Sequence, residues 1–569
     1  MKKLLFYIKD YRKECVLGPL FKMLEALLEL FVPLVVASII DDGIGRKNSQ
    51  HIWIMSGILV LFAIVGLAFS LTAQYFAAKA AVGFTAKLKN ALFAHTMRLS
   101  YTELDKAGSN SLITRMTSDM NQIQTGVNLA LRLLLRSPFV VFGAMIMAFT
   151  VDVKSALIFC VAIPVLAVVV FGIMLICIPL YKKVQLRLER VVGRTRENLT
   201  GVRVLRAFCK ESEETESFKE ETDSLATAQR LVGRISALLN PVTFIIINLA
   251  IIWLIYTGAI RVYDGILTQG AVVALYNYMS QILVELIKLA DLIINITKSI
   301  TSGKRVFACL DTPEGQEIIN SDVMSTDTAV EFSDVWLKYA DAGDYSLENI
   351  SFKAFKGQTI GIIGGTGSGK SSLVNLIPRF YDAEKGAVIV NGQDVRSYDT
   401  NELRKLIGIV PQKAVLFKGT IAENLRYGNE NASESELFEA LQTAQGKDFV
   451  EEKGLESEVE QGGKNLSGGQ RQRLTIARAL VKKPQFLILD DSASALDFAT
   501  DAALRSALKE LSWNPTVFIV SQRTASIMHA DLILVLDDGI LTDYGTHEQL
   551  LKTSETYKEI YNSQFERQV

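Results

Sequence analysis

Four long runs of this sequence contain no charged residue, and they limit the folds open to it more than any other feature. The runs are Ile52–Ala78, Ala156–Tyr181, Ile235–Ile260 and Ile266–Val284. A helix needs about 20 apolar residues to cross a hydrocarbon core of ~30 Å. Core helices of a soluble protein rarely stay uncharged over such lengths, so we interpret all four as transmembrane helices.

Two further spans are predicted from weaker runs. Leu17–Ile40 carries three charged residues, and Ser137–Val151 is long enough only when extended backwards through two arginines. The five charged residues concerned are Lys22, Glu25, Glu29, Arg132 and Arg136. Together the runs predict an all-α transmembrane domain of six helices.

The distribution of basic residues predicts the orientation of these helices. Five lysines and arginines precede the first span, whereas the segments after spans one, three and five carry few. The basic flank consists of Lys2, Lys3, Lys9, Arg12 and Lys13. Basic flanks stay in the cytoplasm, so we expect a multi-pass protein of the cell membrane whose N-terminus and second half are cytoplasmic.

Charge density divides the chain into two parts. We expect a transmembrane domain over 1–310, a polar linker over 311–328 and a soluble α/β domain over 329–569. The formal net charge of -1 gives no indication of a nucleic-acid partner.

A glycine-rich segment near the start of the soluble part predicts phosphate binding. It follows the strand-like Thr359–Ile363 and precedes a helical pattern, which is the context that a P-loop requires. The segment is Gly364, Gly365, Thr366, Gly367, Ser368, Gly369, Lys370 and Ser371. Glycines let backbone N–H groups surround phosphates, Lys370 adds a positive charge, and the Ser371 hydroxyl is a ligand for Mg²⁺.

A second acidic site follows a run of four apolar residues, Phe486–Leu489. Such a run predicts a buried parallel strand, and Asp490 at its carboxyl end lies where phosphates bind in this class of sheet. We therefore expect Asp490 to hold Mg²⁺, directly or through water.

Between these motifs, Leu466–Gln470 has the form of the ABC signature, and with the P-loop it resembles the nucleotide-binding domain of an ABC transporter. The order of domains resembles a six-span exporter half-transporter of the multidrug type. The resemblance implies ATP and Mg²⁺ as ligands and short cytoplasmic coupling helices near 101–110 and 197–208. It also implies adenine stacking on Tyr339, a loop across the dimer that includes Asp497, and Gln412 as a sensor of Mg²⁺ and water. Further ATP contacts are expected from Ser372 and, for ATP bound to a partner subunit, from Ser467, Gly468, Gly469 and Gln470.

Two positions depart from the family pattern. Asp491 stands where the family usually has glutamate, and Gln522 stands where it usually has histidine. The aspartate carboxylate is retracted by roughly 1.5 Å, one C–C bond, and displacements of about 1 Å cost on the order of a hundredfold in rate. Glutamine donates a hydrogen bond but does not titrate. We therefore predict a degenerate site that binds ATP and turns it over weakly.

These observations predict one half of a heterodimeric exporter of small amphipathic, drug- or lipid-like molecules, in contact with the bilayer and a second half-transporter. Alternatives are a regulatory ATP-binding subunit that moves no cargo, or a homodimeric exporter. Two sets of charges in the spans either line a cavity suited to cationic amphipaths or form internal ion pairs. They are Lys22, Glu25 and Glu29 in the first span, and Glu285, Lys288 and Asp291 after the sixth.

Overall fold

A computed structural model describes residues 4–316, 318–319, 327–340 and 342–565. The chain divides into two compact units. The first comprises the residues up to Met97 together with Ser109–Thr312, and the second comprises Arg98–Gly108 with the chain from Pro313 onward. The sequence did not predict that the short segment 98–108 groups with the second unit. Residues 317 and 320–326 of the expected linker lie outside the described part.

From Leu4 to Leu310 the chain is built from helices. They are α1 (Arg12–Ser38), α2 (Ser49–Arg98), α3 (Tyr101–Ala107), α4 (Ser109–Thr114), α5 (Met120–Leu133), α6 (Arg136–Val151), α7 (Val153–Thr200), α8 (Val202–Ala207), α9 (Glu211–Ala237), α10 (Leu239–Tyr263) and α11 (Gln269–Leu310). A 3-10 helix at Leu4–Tyr11 precedes them, and π-helical turns occur at Ile39–Ile44 and Arg115–Asp119.

Among the residues that the structure describes, five helical stretches are long and apolar enough to cross a membrane. They are Phe6–Ile44, Ser49–Arg98, Ser109–Val151, Val153–Thr200 and Glu211–Tyr263. The sixth predicted span corresponds to α11, whose 42 residues give a length of roughly 63 Å. This helix is more polar because it packs against α1, α5, α6, α7 and α10, which shield much of its surface.

A network of ion pairs joins three helices inside the first unit. The guanidinium of Arg136 donates to Glu285 Oε1 and to Glu29 Oε2, both at 2.6 Å. Glu285 also accepts hydrogen bonds from Ser137 Oγ at 3.0 Å and from Lys288 Nζ at 2.9 Å. The Arg136 and Glu285 side chains are only 7% and 5% exposed, so the network crosslinks α1, α6 and α11 where water is scarce.

Ion pairs within the protein therefore account for most of the charged residues whose role the sequence left open. Lys22 donates to both carboxylate oxygens of Glu25, at 2.8 and 2.6 Å, within α1. Asp291 lies on an exposed part of α11. The paired carboxylates carry no net negative charge that favours cations, so the structure supports the ion-pair alternative for these residues.

Removing the arginine from this network is expected to destabilise the first unit strongly. Arg136→Leu leaves Glu285 buried without its main partner, which costs about 3–5 kcal/mol. We expect a large fall in the thermal unfolding midpoint of the detergent-solubilised chain. The double variant Arg136→Leu/Glu285→Leu should recover most of the lost unfolding midpoint. The control Lys288→Leu should change the midpoint little, because that side chain is 45% exposed. Equal midpoints for Arg136→Leu and the control would contradict the pairing.

The second unit combines strands and short helices. Its strands are β1 (Thr328–Leu337), β2 (Leu347–Phe355), β3 (Thr359–Gly364), β4 (Lys385–Val390), β5 (Gln393–Asp394), β6 (Ile407–Val410), β7 (Gly419–Thr420), β8 (Glu458–Val459), β9 (Phe486–Asp490), β10 (Thr516–Val520), β11 (Leu532–Asp537) and β12 (Ile540–Gly545). Its helices after α3 are α12 (Lys370–Leu376), α13 (Thr400–Leu406), α14 (Ile421–Arg426), α15 (Glu434–Thr443), α16 (Lys447–Lys453), α17 (Gly468–Val481), α18 (Phe498–Lys509), α19 (Thr524–Ile527), α20 (His547–Thr553) and α21 (Glu555–Phe565).

Ten strands form one mixed sheet in the order β5-β4-β1-β2-β12-β11-β3-β10-β9-β6. The five strands from β11 to β6 are parallel, and β1, β2, β4 and β5 pair in antiparallel fashion. Because the parallel strands run in one direction, their carboxyl ends share one edge, and loops that follow them meet there.

Alternate residues of the central strands enter two separate cores. In β9, Phe486 and Ile488 pack on the face that includes α12, while Leu487 and Leu489 pack on the face that includes α17. All of β9 is buried, including Asp490, which is 6% exposed. A strand covered on both faces needs a continuous apolar run, which explains the pattern seen in the sequence.

Candidate functional site

The glycine-rich segment forms a loop between β3 and α12. The ammonium of Lys370 is buried and turns back on this loop, donating to the Gly364 carbonyl at 3.0 Å, to Ser368 Oγ at 3.2 Å and to the Gly365 carbonyl. Burial lowers the pKa of Lys370, while Asp491 and Asp490 partly offset that effect. A buried cation supported mainly by neutral carbonyls is well suited to bind an anionic group.

Gly369 shows why this loop requires glycine. Its φ of +90° lies in the left-handed region, and a Cβ there would approach the carbonyl oxygen of Ser346 to 2.7 Å. Any other residue would strain the turn and widen the loop.

A hydroxyl and a carboxylate meet beside the loop. Ser371 Oγ, at the start of α12, donates to Asp490 Oδ1 at 2.9 Å. Burial raises the pKa of Asp490, and the hydrogen bond from Ser371 partly offsets the rise. Hard oxygen donors of this kind are the ligands that Mg²⁺ prefers, so these two residues fit the cation that phosphate chemistry needs.

The two residues that depart from the family pattern lie at the same edge of the sheet. Asp491 directly follows β9, and its backbone N–H donates to the carbonyl of Val520 at the end of β10. Gln412 follows β6 and donates a long hydrogen bond of 3.5 Å from Nε2 to Asp491 Oδ2. Gln522 follows β10 and is exposed.

One cavity of about 500 Å³ gathers most of the predicted site residues. It is lined by Ala342, Asp344, Tyr345, Ser346, Thr366, Gly367, Ser368, Gly369, Lys370, Ser371, Ser372, Gln412, Asp490, Asp491, Val520, Ser521, Gln522, Asp538 and Gly539. Residues from the loops after β3, β6, β9, β10 and β11 thus converge at the edge where the parallel strands end.

Four groups of predicted residues lie outside this lining, and the first consists of Gly364 and Gly365 at the start of the glycine-rich loop. Tyr339 is half-buried beside the cavity, and its hydroxyl donates to Ser372 Oγ at 3.0 Å. Asp497 is the N-cap of α18, where its carboxylate accepts from the N–H of Thr500 at 2.7 Å. That backbone hydrogen bond is the main reason why the pKa of Asp497 is lowered. Ser467 is the N-cap of α17.

The signature segment forms the exposed start of a 14-residue helix. Ser467 Oγ accepts from the N–H of Gln470 at 3.2 Å, and Gln470 Oε1 accepts from the N–H of Ser467 at 3.0 Å. This capping box fixes the helix start but leaves the N–H groups of Gly468 and Gly469 directed outward at its positive end.

The structure also adds residues that no motif indicated. Asp538 and Gly539 line the cavity in the turn after β11, and an Asp-Gly pair after a buried strand was a signal available in the sequence. The Gln564 side chain, near the end of α21, accepts from the N–H of Thr524 and donates to the carbonyl of Gln522, each at 2.8 Å. Nothing in the sequence pattern predicted that contact.

A P-loop at the edge of a mainly parallel sheet, with Ser371 bonded to the buried Asp490 beside it, defines an ATP-binding domain of the P-loop class, here fused to a membrane-spanning helical unit. Family comparisons agree: residues 15–286 match the ABC transporter transmembrane region, and residues 347–494 match the ABC transporter domain. The chain belongs to the ABC transporter family.

Similar proteins extend over most of the chain. An uncharacterized ABC transporter ATP-binding protein, YfiB of Bacillus subtilis (strain 168), is 35% identical over 100% of this chain and 99% of its own length. The ATP-dependent lipid A-core flippase of Desulfotalea psychrophila is 33% identical over 83% of both chains. The structure of a bacterial Atm1-family ABC exporter with ATP bound superposes with a TM-score of 0.84 and 26% identity, covering 97% of this chain and 99% of the other.

These similarities confirm the predicted fold class and the predicted resemblance to an exporter half-transporter. The protein is a membrane-embedded ABC exporter with an ATPase domain on the cytoplasmic side. The roles of individual residues, the domain limits and the coupling segments remain predictions, although helices α3 and α8 do occupy the two segments concerned.

Proposed function

We propose that this chain is one half of a heterodimeric exporter of small amphipathic, drug- or lipid-like molecules. Its own ATP site binds nucleotide and hydrolyses it weakly, while its signature segment completes the site of the partner. The observation that carries this proposal is the pair Asp491 and Gln522, both of which line the phosphate-side cavity.

The position of Asp491 supports weak hydrolysis. Its backbone is fixed by the hydrogen bond to Val520, so the shorter side chain is not compensated by a shift of the main chain. Its carboxylate is also near enough to Gln412 to accept a hydrogen bond. Hydrolysis of ATP depends mainly on the positioning of water and charge, and a retracted carboxylate positions water poorly.

The residues that would hold Mg-ATP are intact by contrast. Lys370 and the backbone of Gly364–Gly369 suit the phosphates, Ser371 and Asp490 suit Mg²⁺, and Tyr339 supplies a flat ring beside Ser372 for the base. Bound Mg²⁺ would neutralise phosphate charge as it builds up during transfer. Intact binding with altered hydrolytic groups favours ATP retention over turnover.

The exposed start of α17 at Ser467 supports the proposal that this segment completes the ATP site of the partner. It does not line the cavity formed by its own P-loop, and its N–H groups suit a phosphate from another molecule. Added Cβ atoms at Gly468 would meet no atom within 4 Å, so the surface there is open.

The proposed cargo class is supported by the family alone. One relative bears the name of a lipid A-core flippase, which makes a lipid-like molecule a reasonable cargo for this chain. Because Glu29 and Glu285 are paired with Arg136, we propose no preference for cationic cargo. If transport nonetheless depends on the carboxylates of Glu285 and Asp291, efflux of cationic dyes will fall in Glu285→Gln/Asp291→Asn.

Purification of the unmodified chain tests the heterodimer. We expect it to bind Mg-ATP and to show little ATPase activity in lipid nanodiscs, and we expect a second half-transporter with glutamate and histidine at the two positions to co-purify from the native source. Fast hydrolysis by the chain alone would favour a homodimeric exporter. ATP binding without cargo flux in vesicles that hold both subunits would favour a regulatory subunit.

A further inference from the structure

The segment 521–523 joins β10 to α19 and places Gln522 at the phosphate-side cavity. Arg523 occupies the N-cap position of α19, but its guanidinium donates to the carbonyls of Ala493 and Leu496, at 3.4 and 3.3 Å. The first N–H groups of a helix need acceptors, and an arginine side chain has none to offer. The helix start next to Gln522 must therefore be satisfied by another part of the chain.

The side chain of Gln564, near the end of α21, bonds the main chain on both sides of Arg523. Its Oε1 accepts from the N–H of Thr524, the first residue of α19, and its Nε2 donates to the carbonyl of Gln522, each at 2.8 Å. A primary amide carries an acceptor and donors in one planar group, so it satisfies both contacts at once. Gln564 therefore caps α19 and holds the main chain of Gln522.

Gln564 lies on the anchored face of α21. Tyr557, Tyr561 and Gln564 are spaced i, i+4 and i+7, so they share one side of the helix. Tyr557 is fully buried, and its hydroxyl lies 2.8 Å from His547 Nδ1 in α20. The ring of Tyr561 also contacts the His547 ring, with centroids 5.5 Å apart. Because these contacts fix α21 close to its end, the amide of Gln564 is held at a defined place.

Gln564 can affect the cavity only through Gln522. It is exposed and lies outside the lining of the cavity, whereas Gln522 is part of that lining. Hydrogen bonds weaken steeply when donor and acceptor move apart or out of line. A main chain fixed at Gln522 therefore keeps the side-chain amide of this residue within reach of a terminal phosphate.

We infer, from the role proposed for Gln522, that Gln564 is a positioning residue that directs the Gln522 amide toward the terminal phosphate of bound nucleotide. A diphosphate ends short of Gln522, so the contacts of Gln564 strengthen the binding of triphosphates selectively. The helix α21 thus takes part in the recognition of the triphosphate without touching it.

Equilibrium binding of two nucleotides to the full chain in lipid nanodiscs tests this role. Mg-AMPPNP has a terminal phosphate and is not hydrolysed, whereas Mg-ADP lacks that phosphate. We expect Gln564→Leu to raise the dissociation constant of Mg-AMPPNP by about fivefold, the effect of a typical hydrogen bond, and to leave that of Mg-ADP unchanged. Gln564→Glu keeps the acceptor for Thr524 but turns an oxygen toward the Gln522 carbonyl, so it should show the same selective loss.

Two comparisons separate positioning from a general loss of stability. Gln549 Oε1 accepts from the N–H of Thr546 at the start of α20, at 3.0 Å, so Gln549→Leu removes a hydrogen bond of the same kind outside the cavity lining. We expect this control to leave both dissociation constants unchanged. In the double variant Gln522→Ala/Gln564→Leu, the loss should equal that of Gln522→Ala alone, because no amide remains to be positioned.

The role of Gln522 and that of Gln564 fail in different ways. If Gln522→Ala does not weaken Mg-AMPPNP relative to Mg-ADP, the role of Gln522 at the phosphate is wrong and Gln564 has nothing to position. If Gln522→Ala has this effect but Gln564→Leu does not, the positioning role alone is overturned. Equal weakening of both nucleotides by Gln564→Leu, or additive losses in the double variant, also overturns it, since either result indicates a structural role.

Discussion

Asp491→Glu combined with Gln522→His is expected to raise ATP hydrolysis by the purified chain by on the order of a hundredfold. The longer glutamate carries its carboxylate further into the cavity, and histidine supplies a group that titrates near neutral pH. All residues proposed to bind Mg-ATP stay unchanged, so the gain should appear in kcat with little change in KM. Steady-state phosphate release in lipid nanodiscs measures both constants.

Two controls make this result specific. Lys370→Ala in the double variant should abolish the gained activity, because the phosphates lose their buried cation. The single variant Asp491→Asn keeps the side-chain length of aspartate, so it should show no gain. A rate in the double variant no higher than in the unmodified chain would contradict the proposal that these two positions limit hydrolysis.

Gly468→Asp is expected to stop hydrolysis at the partner's site while leaving ATP binding by this chain intact. The new carboxylate would stand at the start of α17, where we propose that the partner's ATP phosphates bind, and like charges repel there. Loss of one well-placed donor in a reaction site already costs on the order of a hundredfold, and a repelling charge should cost at least as much. ATPase activity of the co-purified complex measures the loss.

The chain has room for the aspartate side chain, so a loss of activity can be separated from a loss of stability. A Cβ at Gly468 meets no atom within 4 Å, so the thermal unfolding midpoint should not fall. Gly468→Ala is the matched control, since it adds the same Cβ without charge and should retain most activity. Full ATPase activity of the complex carrying Gly468→Asp would show that this helix start serves no site in the partner.

The sequence predicted the features that depend on neighbouring residues. A membrane span needs a continuous apolar stretch, so the uncharged runs revealed the helices directly. The P-loop is equally local, because Gly364 to Ser371 must form one turn around one group of phosphates. The uncharged run Ile266–Val284 indicated the first part of α11 only, because the later part of this helix carries charged residues and packs against neighbouring helices.

Contacts between distant residues were beyond the reach of such patterns. The sequence left open whether Glu285 faces a cavity or an ion pair, and its partner Arg136 lies 149 positions away. In the same way, Asp105 and Tyr381 are 276 positions apart, and no spacing rule relates them. Such pairs form only when packing brings two separate elements together.

The linear order of residues thus determined which segments cross the membrane and which loop is proposed to bind phosphate, because both properties are set within a few helical turns. Tertiary structure alone decided how the charges within the spans are neutralised and that Tyr381 contacts both Tyr339 and Asp105. The physical reason is that hydrogen bonds and ion pairs act over a few ångströms in space, whatever the separation of their partners along the chain.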